Sequence, residues 1–199
     1  MQKKSKHLDW LLKTALLAAV AFVLMYIEIP IPIVPPWLKL DISDLPTLLA
    51  GFSLGPVSGV VVNAIKVLLF FFFKNSGTGG VGELANFIMG LCLVLPAALI
   101  YRRKKTRKRA LVGTLVGVVA MTVASGLLNY YMLIPAYSLI MPMEAILEAC
   151  TAINPAMNSV LAYVLMAAMP FTLAKGILDG ILLFLLYKRL SPLLHGRRD

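Results

Sequence analysis

Nine polar side chains stand inside otherwise apolar runs of this sequence: Glu28, Asn63, Lys66, Glu83, Asn86, Asn129, Thr172, Lys175 and Asp179. Amides and hydroxyls both donate and accept hydrogen bonds, and a lysine donates three and accepts none. Groups of these types hold a small molecule by its polar edges. They do not form a nucleophile with its base, and no HExxH or GxSxG signature is present. The two histidines, His7 and His195, fall in charged tails, and Cys92 and Cys150 stand alone without CxxC spacing, so no metal site is expected. The glycine-rich stretch KNSGTGGVG (74–82) lacks the lysine and hydroxyl placement of a phosphate-binding loop. The chain therefore hydrolyses no ATP on its own.

Each polar residue also has a plain structural role open to it. Glu28 and Glu83 fall near the ends of apolar runs, where they reach water. Asn63 and Asn86 can join one helix to another. Lys175 and Asp179, four apart on one helix, can neutralise each other. The set says more than its members. Asn86, Asn129 and Thr172 come from the last three apolar runs, and Thr172 and Lys175 fall near the middle of theirs. With Tyr130, Tyr131 and Phe171 they would line one outward-open cavity that suits a flat molecule with polar edges.

The elements that must position these groups are membrane helices. Hydrophobic residues make up 60% of the chain and charged residues 14%, against roughly 45–50% and about 25% in soluble domains. Only lipid accommodates so much apolar surface, so the chain reads as an all-α integral membrane protein, one membrane domain over 1–199. The basic N-terminus precedes an apolar run too long for a signal-peptide core, so this run is the first span and not a cleaved leader. The run 45–73 holds 29 residues, about 43 Å as one helix against a hydrocarbon core of about 30 Å. Gly55-Pro56 interrupts it with turn chemistry. The reading is six transmembrane helices, at about 11–30, 45–54, 57–73, 84–101, 110–134 and 159–187.

Charge supports that count. With six spans, Lys3, Lys4, Lys6, Lys13, the seven cations of Arg102–Arg109, Lys188, Arg189, Arg197 and Arg198 all fall on one side. That is fifteen of nineteen basic residues, the positive-inside pattern. It places the N- and C-termini in the cytoplasm and sets the basic loop against anionic lipid headgroups. The net charge of +10 belongs to this pattern and gives no reason to expect nucleic acid. The outer face then carries a Pro-rich loop between the first two helices, Ile31–Asp44, expected to be stiff and extended over an apolar surface. It also carries the glycine-rich connector, expected to be mobile, and the segment Pro135–Asn158. The second span, about ten residues long, needs shelter from its neighbours. In the first span Ala15 and Ala19 are four apart, with Ala18 and Ala21 beside them; such a small-residue face admits a closely packed helix.

The run PIPIVPPWLKLDISDLPTLLAGFSLGPVSGVVV (30–62), with GELANFIMG (82–90) and PFTLAKG (170–176), resembles the riboflavin-specific substrate-binding (S) component of energy-coupling factor (ECF) transporters. The resemblance implies a six-helix vitamin-binding protein of a bacterial cytoplasmic membrane, with riboflavin as transported ligand and no cofactor. It implies a transmembrane coupling subunit (EcfT-like) and two cytoplasmic ATPase subunits as partners, with Ala15 and Ala19 against the coupling subunit. It further implies a ligand held by Leu38, Thr47, Leu48, Gly51, Glu83, Asn86, Asn129, Tyr130, Thr172 and Lys175. In the third motif the family commonly has asparagine where this chain has Thr172. Lys175 and Thr172 suit the ring carbonyls, Glu83, Asn86 and Asn129 the ribityl hydroxyls, and Trp37, Leu38 and Leu48 the dimethylbenzene end. The rival readings are an S component for another vitamin, a stand-alone facilitator, and a membrane-embedded lipid-modifying enzyme with Glu83 or Asp179 as base.

Overall fold

The computed structural model describes residues 2–74 and 76–195, with side chains described for 7–74 and 76–186. The expectations that rest on the side chains of Lys3, Lys4, Lys6, Lys188, Arg189, Arg197 and Arg198 lie outside the described residues. Helix α1 (Gln2–Tyr26) leads into strands β1 (Ile29–Pro30) and β2 (Lys39–Leu40). Helices α2 (Asp44–Ser53), α3 (Pro56–Phe73), α4 (Val81–Arg103) and α5 (Arg107–Leu128) follow, then the short α6 (Ile134–Tyr137), α7 (Met143–Thr151) and α8 (Val160–Tyr163), and finally α9 (Met169–His195). Among the described residues five stretches are long and apolar enough to cross a membrane: His7–Tyr26, Pro56–Phe73, Val81–Arg103, Arg107–Tyr137 and Val160–Leu186.

Helix α2 is the short exception. Its ten residues span about 15 Å, and all but Ser53 are buried. Gly55 ends it with φ 110°, and Pro56 opens α3 at a position where its missing N–H costs nothing. Leu45, Leu48, Leu49 and Phe52 of α2 pack with Leu93, Ala97 and Tyr101 of α4 and with Leu183 of α9. Helices α4 and α5 approach to backbone contact. A Cβ on Gly117 would stand 2.3 Å from the Leu93 carbonyl oxygen, and one on Gly113 2.7 Å from that of Ala97. This is small-xxx-small packing, in which missing side chains admit a neighbouring backbone.

Two prolines reshape the long helices. Proline cannot donate to residue i−4 and crowds that carbonyl. Ahead of Pro135 the chain takes a π-helical turn over Asn129–Leu133, in which the Ile134 N–H reaches back to the Asn129 carbonyl. Ahead of Pro170 it does the same over Val164–Ala168, with the Met169 N–H on the Val164 carbonyl. The helix thus continues past Pro135 to Tyr137 where the sequence reading ended it at 134.

The Pro-rich segment is not extended. Its ends pair as an antiparallel two-residue ladder, Ile29 opposite Leu40 and Pro30 opposite Lys39. The residues between fold into two turns, closed by the Val34 N–H on the Ile31 carbonyl and the Leu38 N–H on the Pro35 carbonyl. Proline at a turn position presets the φ a turn needs, and this outweighs its preference for extended chain. The described part of the glycine-rich connector is hydrogen-bonded to the start of α4. Ser76 donates to Glu83 through its backbone N–H (2.6 Å) and its hydroxyl (2.9 Å), and the Gly82 N–H donates to Thr78 Oγ1 (2.9 Å).

Candidate functional site

A cavity lies beneath the hairpin, where α1, α3, α4, α5 and α9 converge. Trp37, Leu38, Lys39 and Asp41 line it from the hairpin, and Met25, Phe70, Met89, Met121, Leu133, Tyr137 and Phe171 give it apolar walls. Its polar lining is Glu28, Asp44, Ser76, Glu83, Asn86, Ser125, Asn129, Thr172 and Lys175. About 150 Å³ is open to the centres of water-sized molecules, some ten times what one water needs.

Lys175 is the central cation. Its Nζ donates to Asp41 Oδ2 at 2.8 Å and stands 3.3 Å from Asp44 Oδ2. Asp44 also receives Lys66, whose Nζ donates to Ser43 Oγ as well (3.0 Å). The Ser43 N–H closes the group on Asp41 Oδ1 (2.9 Å). Two cations from α3 and α9 thus hold two carboxylates, Asp41 between the hairpin and α2 and Asp44 at the start of α2. Buried charges persist only when paired in this way. The alternative role of Lys175, neutralising Asp179, is not the one it takes. No ion pair joins them, and both Asp179 carboxylate oxygens are buried without a hydrogen-bond partner. An ammonium on a long stem turns toward whichever carboxylates come closest, and here the tertiary fold presents two.

A second network runs from hairpin to helix. Trp37 Nε1 donates to Tyr163 Oη (2.9 Å), and Tyr163 Oη donates to Asn129 Oδ1 (2.9 Å). Asn129 Nδ2 donates to the Ser125 carbonyl (2.8 Å) and lies 3.3 Å from Ser125 Oγ. Ser125 Oγ meets Thr172 Oγ1 at 2.8 Å, and Thr172 donates to the Ala168 carbonyl (2.9 Å). Thr172, which lines the cavity, thus spends its proton on the Ala168 carbonyl and has its oxygen left to accept. Asn86 lines the cavity with no hydrogen-bond partner of its own among the described residues.

Of the ten residues expected to hold a ligand, Leu38, Glu83, Asn86, Asn129, Thr172 and Lys175 line the cavity. The other four do not. Thr47 and Leu48 are fully buried in α2, with Thr47 Oγ1 donating to the Ser43 carbonyl (3.3 Å). Gly51 packs on α4, where a Cβ would stand 2.9 Å from Val94 Cγ2. Tyr130 is 40% exposed on the far side of α5, against Tyr131 and Leu161. Glu28 bridges Lys39 (3.0 Å) and Lys74 (2.6 Å) at the cavity rim rather than simply reaching water. Asn63 joins α3 to α4, donating to the Phe87 carbonyl (2.9 Å). Ala15 and Ala19 lie on the exposed face of α1, while Ala18 and Ala21 are buried inside the bundle. Sequence reasoning missed Asp41, Asp44, Ser125 and Tyr163. The DxxD spacing just before an apolar helix was the available sign of the first two.

Comparison with known proteins follows the same outline. The family model "ECF transporter, substrate-specific component" matches residues 10–187. Riboflavin transporter RibU of Staphylococcus aureus is 37% identical over 184 residues, covering 92% of this chain and 91% of the relative. Riboflavin transporter FmnP of Bacillus subtilis is 33% identical over 190 residues, 95% of each. A solved structure described as "Structure and mechanism of the S component of a bacterial ECF transporter" superposes with a TM-score of 0.74 at 36% identity. The match covers 99% of this chain and 100% of that one.

Proposed function

The chain belongs to the family of ECF transporter substrate-specific components, and from that premise we propose that it captures riboflavin outside the cell for an ATP-driven importer. It is a multi-pass protein of the bacterial cell membrane and a transport subunit, not an enzyme. Proteins of this family work with a transmembrane coupling subunit and two ATPases, which supply the nucleotide chemistry this sequence lacks. The observation that carries the riboflavin reading is the cavity beneath the hairpin, with polar groups along its lining and apolar walls around them, in a chain whose relatives are named riboflavin transporters.

Riboflavin carries no net charge at neutral pH and has a flat ring with two carbonyls and one N–H on its polar edge. An ammonium has three donors. Asp41 and Asp44 take two from Lys175, so the third remains for a ring carbonyl. The unpartnered Asn86 amide serves the other carbonyl or a ribityl hydroxyl. Thr172 Oγ1 accepts from the ring N–H. Glu83 and Asn129 complete the polar lining, and Leu38 and Trp37 cover the dimethylbenzene end. The buried α2 is the second of six spans, sheltered as its length requires. The hairpin faces outward, and the exposed Arg102–Arg109 run and both termini face the cytoplasm. The exposed Ala15/Ala19 face of α1 meets the coupling subunit.

Titration of the detergent-purified protein tests the reading. Riboflavin fluorescence is expected to be quenched with saturation below micromolar ligand. A folded sample that quenches none of it at micromolar ligand would sink the proposal.

A further inference from the structure

We propose that Tyr163 is a positioning residue that braces the Asn129 amide of the cavity and latches the hairpin over it. It is wholly buried and does not line the cavity; it acts through Trp37 and Asn129, which do. The kinetic part of the proposal rests on the riboflavin reading, and the rest does not.

The chemistry of the chain's two ends sets its direction. An indole N–H only donates, so Tyr163 Oη accepts from Trp37. The one phenol proton is then free for Asn129 Oδ1. At the far end the Ala168 carbonyl only accepts, so it takes the Thr172 proton, and Ser125 donates to Thr172. Asn129 must turn its Nδ2 toward Ser125, which the Ser125 carbonyl independently demands. Every donor in the series points from the hairpin toward α9, and no group can be reversed singly. The orientation of the Asn129 amide that a ligand meets is thus held from both ends, by the Ser125 carbonyl on its nitrogen and by Tyr163 on its oxygen.

Local backbone puts the two partners face to face. Asn129 opens one π-helical turn and Tyr163 immediately precedes the other, each turn preceding a proline. A π turn inserts an extra residue, so each partner is rotated relative to the helix that follows its turn. Around the bond, Trp37 rests edge-on against Tyr163 (centroids 6.0 Å apart) and tilted against Tyr137 (5.9 Å). The hairpin has one indole wedged between two phenols, one of which also donates into the bundle.

The chain has two tryptophans, and Trp10 bonds Ser58 far from the hairpin. A Trp10→Phe background leaves Trp37 as the sole tryptophan, read by excitation beyond the tyrosine band. In that background Tyr163→Phe keeps the ring and removes both hydrogen bonds. In ligand-free protein, Trp37 is expected to become at least about twofold more accessible to acrylamide, as a loosened buried hydrogen bond allows. Riboflavin should dissociate roughly 2- to 10-fold faster with association no slower, the signature of a released lid. Unchanged Trp37 quenching would overturn the latch whether or not riboflavin binds. A wild type that fails to quench riboflavin would remove the functional reading alone. If Tyr163→Phe does not fold, Trp37→Phe takes its place: association and dissociation should both rise, and unchanged rates or slower association would overturn the proposal. Where both variants fold, the double variant should dissociate no faster than Trp37→Phe alone, and additive rates would show that the two residues act separately.

Discussion

Replacing Lys175 by methionine separates recognition of ligand from pairing of charge. Methionine keeps the length and volume of the stem and removes the ammonium. Two consequences follow from the geometry. Asp41, 7% exposed, loses its cation, whereas Asp44 keeps Lys66. Breaking a buried pair costs about 3–5 kcal/mol. Asp41 borders a cavity that admits water, so about 1–3 kcal/mol of lost stability is the expected range. The ligand loses one charge-assisted hydrogen bond, about 1.5–3 kcal/mol, or a 10- to 150-fold rise in Kd. Flavin-quenching titration reads the second effect and a thermal unfolding scan in detergent reads the first. The double variant Lys175→Met with Asp41→Asn removes the orphaned charge, so it should regain most of the stability and none of the affinity. A Kd for Lys175→Met within about twofold of wild type would refute the assignment and leave Lys175 as a counter-ion for the hairpin. Affinity regained by the double variant would show that the single one had lost binding only through its fold.

Two further outcomes are expected from the same structure. Ala15→Trp and Ala19→Trp place bulk on the exposed face of α1, away from the buried Ala18 and Ala21; riboflavin binding in detergent should stay near normal while uptake by cells is lost. Equal loss of both would make this face part of the internal packing. Gly55→Ala forces a Cβ onto a residue at φ 110° with nothing within 4 Å of it, so the cost is backbone strain of about 1–3 kcal/mol. It should appear as a lower melting temperature with riboflavin affinity unchanged, because Gly55 and the cavity lie at opposite ends of α2; an unshifted melting temperature would refute the strain.

Particular residues show how far the site was legible. Glu83, Asn86, Asn129, Thr172 and Lys175 do converge on one cavity, because a polar group in an apolar helix is driven toward the bundle interior; Leu38 reaches it from the hairpin. Thr47, Leu48 and Gly51 do not line it: α2 is buried on every side, so facing inward does not distinguish the cavity from the core. Tyr163 was invisible as a tyrosine within an apolar run, where packing and hydrogen bonding leave the same trace. The π-helical turns precede Pro135 and Pro170, but Pro96 inside α4 has none, so proline by itself did not announce them.

Sequence alone determined that this chain lives in a membrane, that its long apolar runs are helices, and that Gly55-Pro56 divides one of them. Those features depend on local properties: transfer of apolar surface into lipid, backbone hydrogen bonds closed within one helix, and the dihedrals of glycine and proline. Only the tertiary structure decided the partners of the charges. Lys175 had Asp179 one turn away and took Asp41, 134 residues distant, instead. An electrostatic bond follows separation in space and exclusion of water, and both are set by how the hairpin folds back over α9 and not by spacing along the chain.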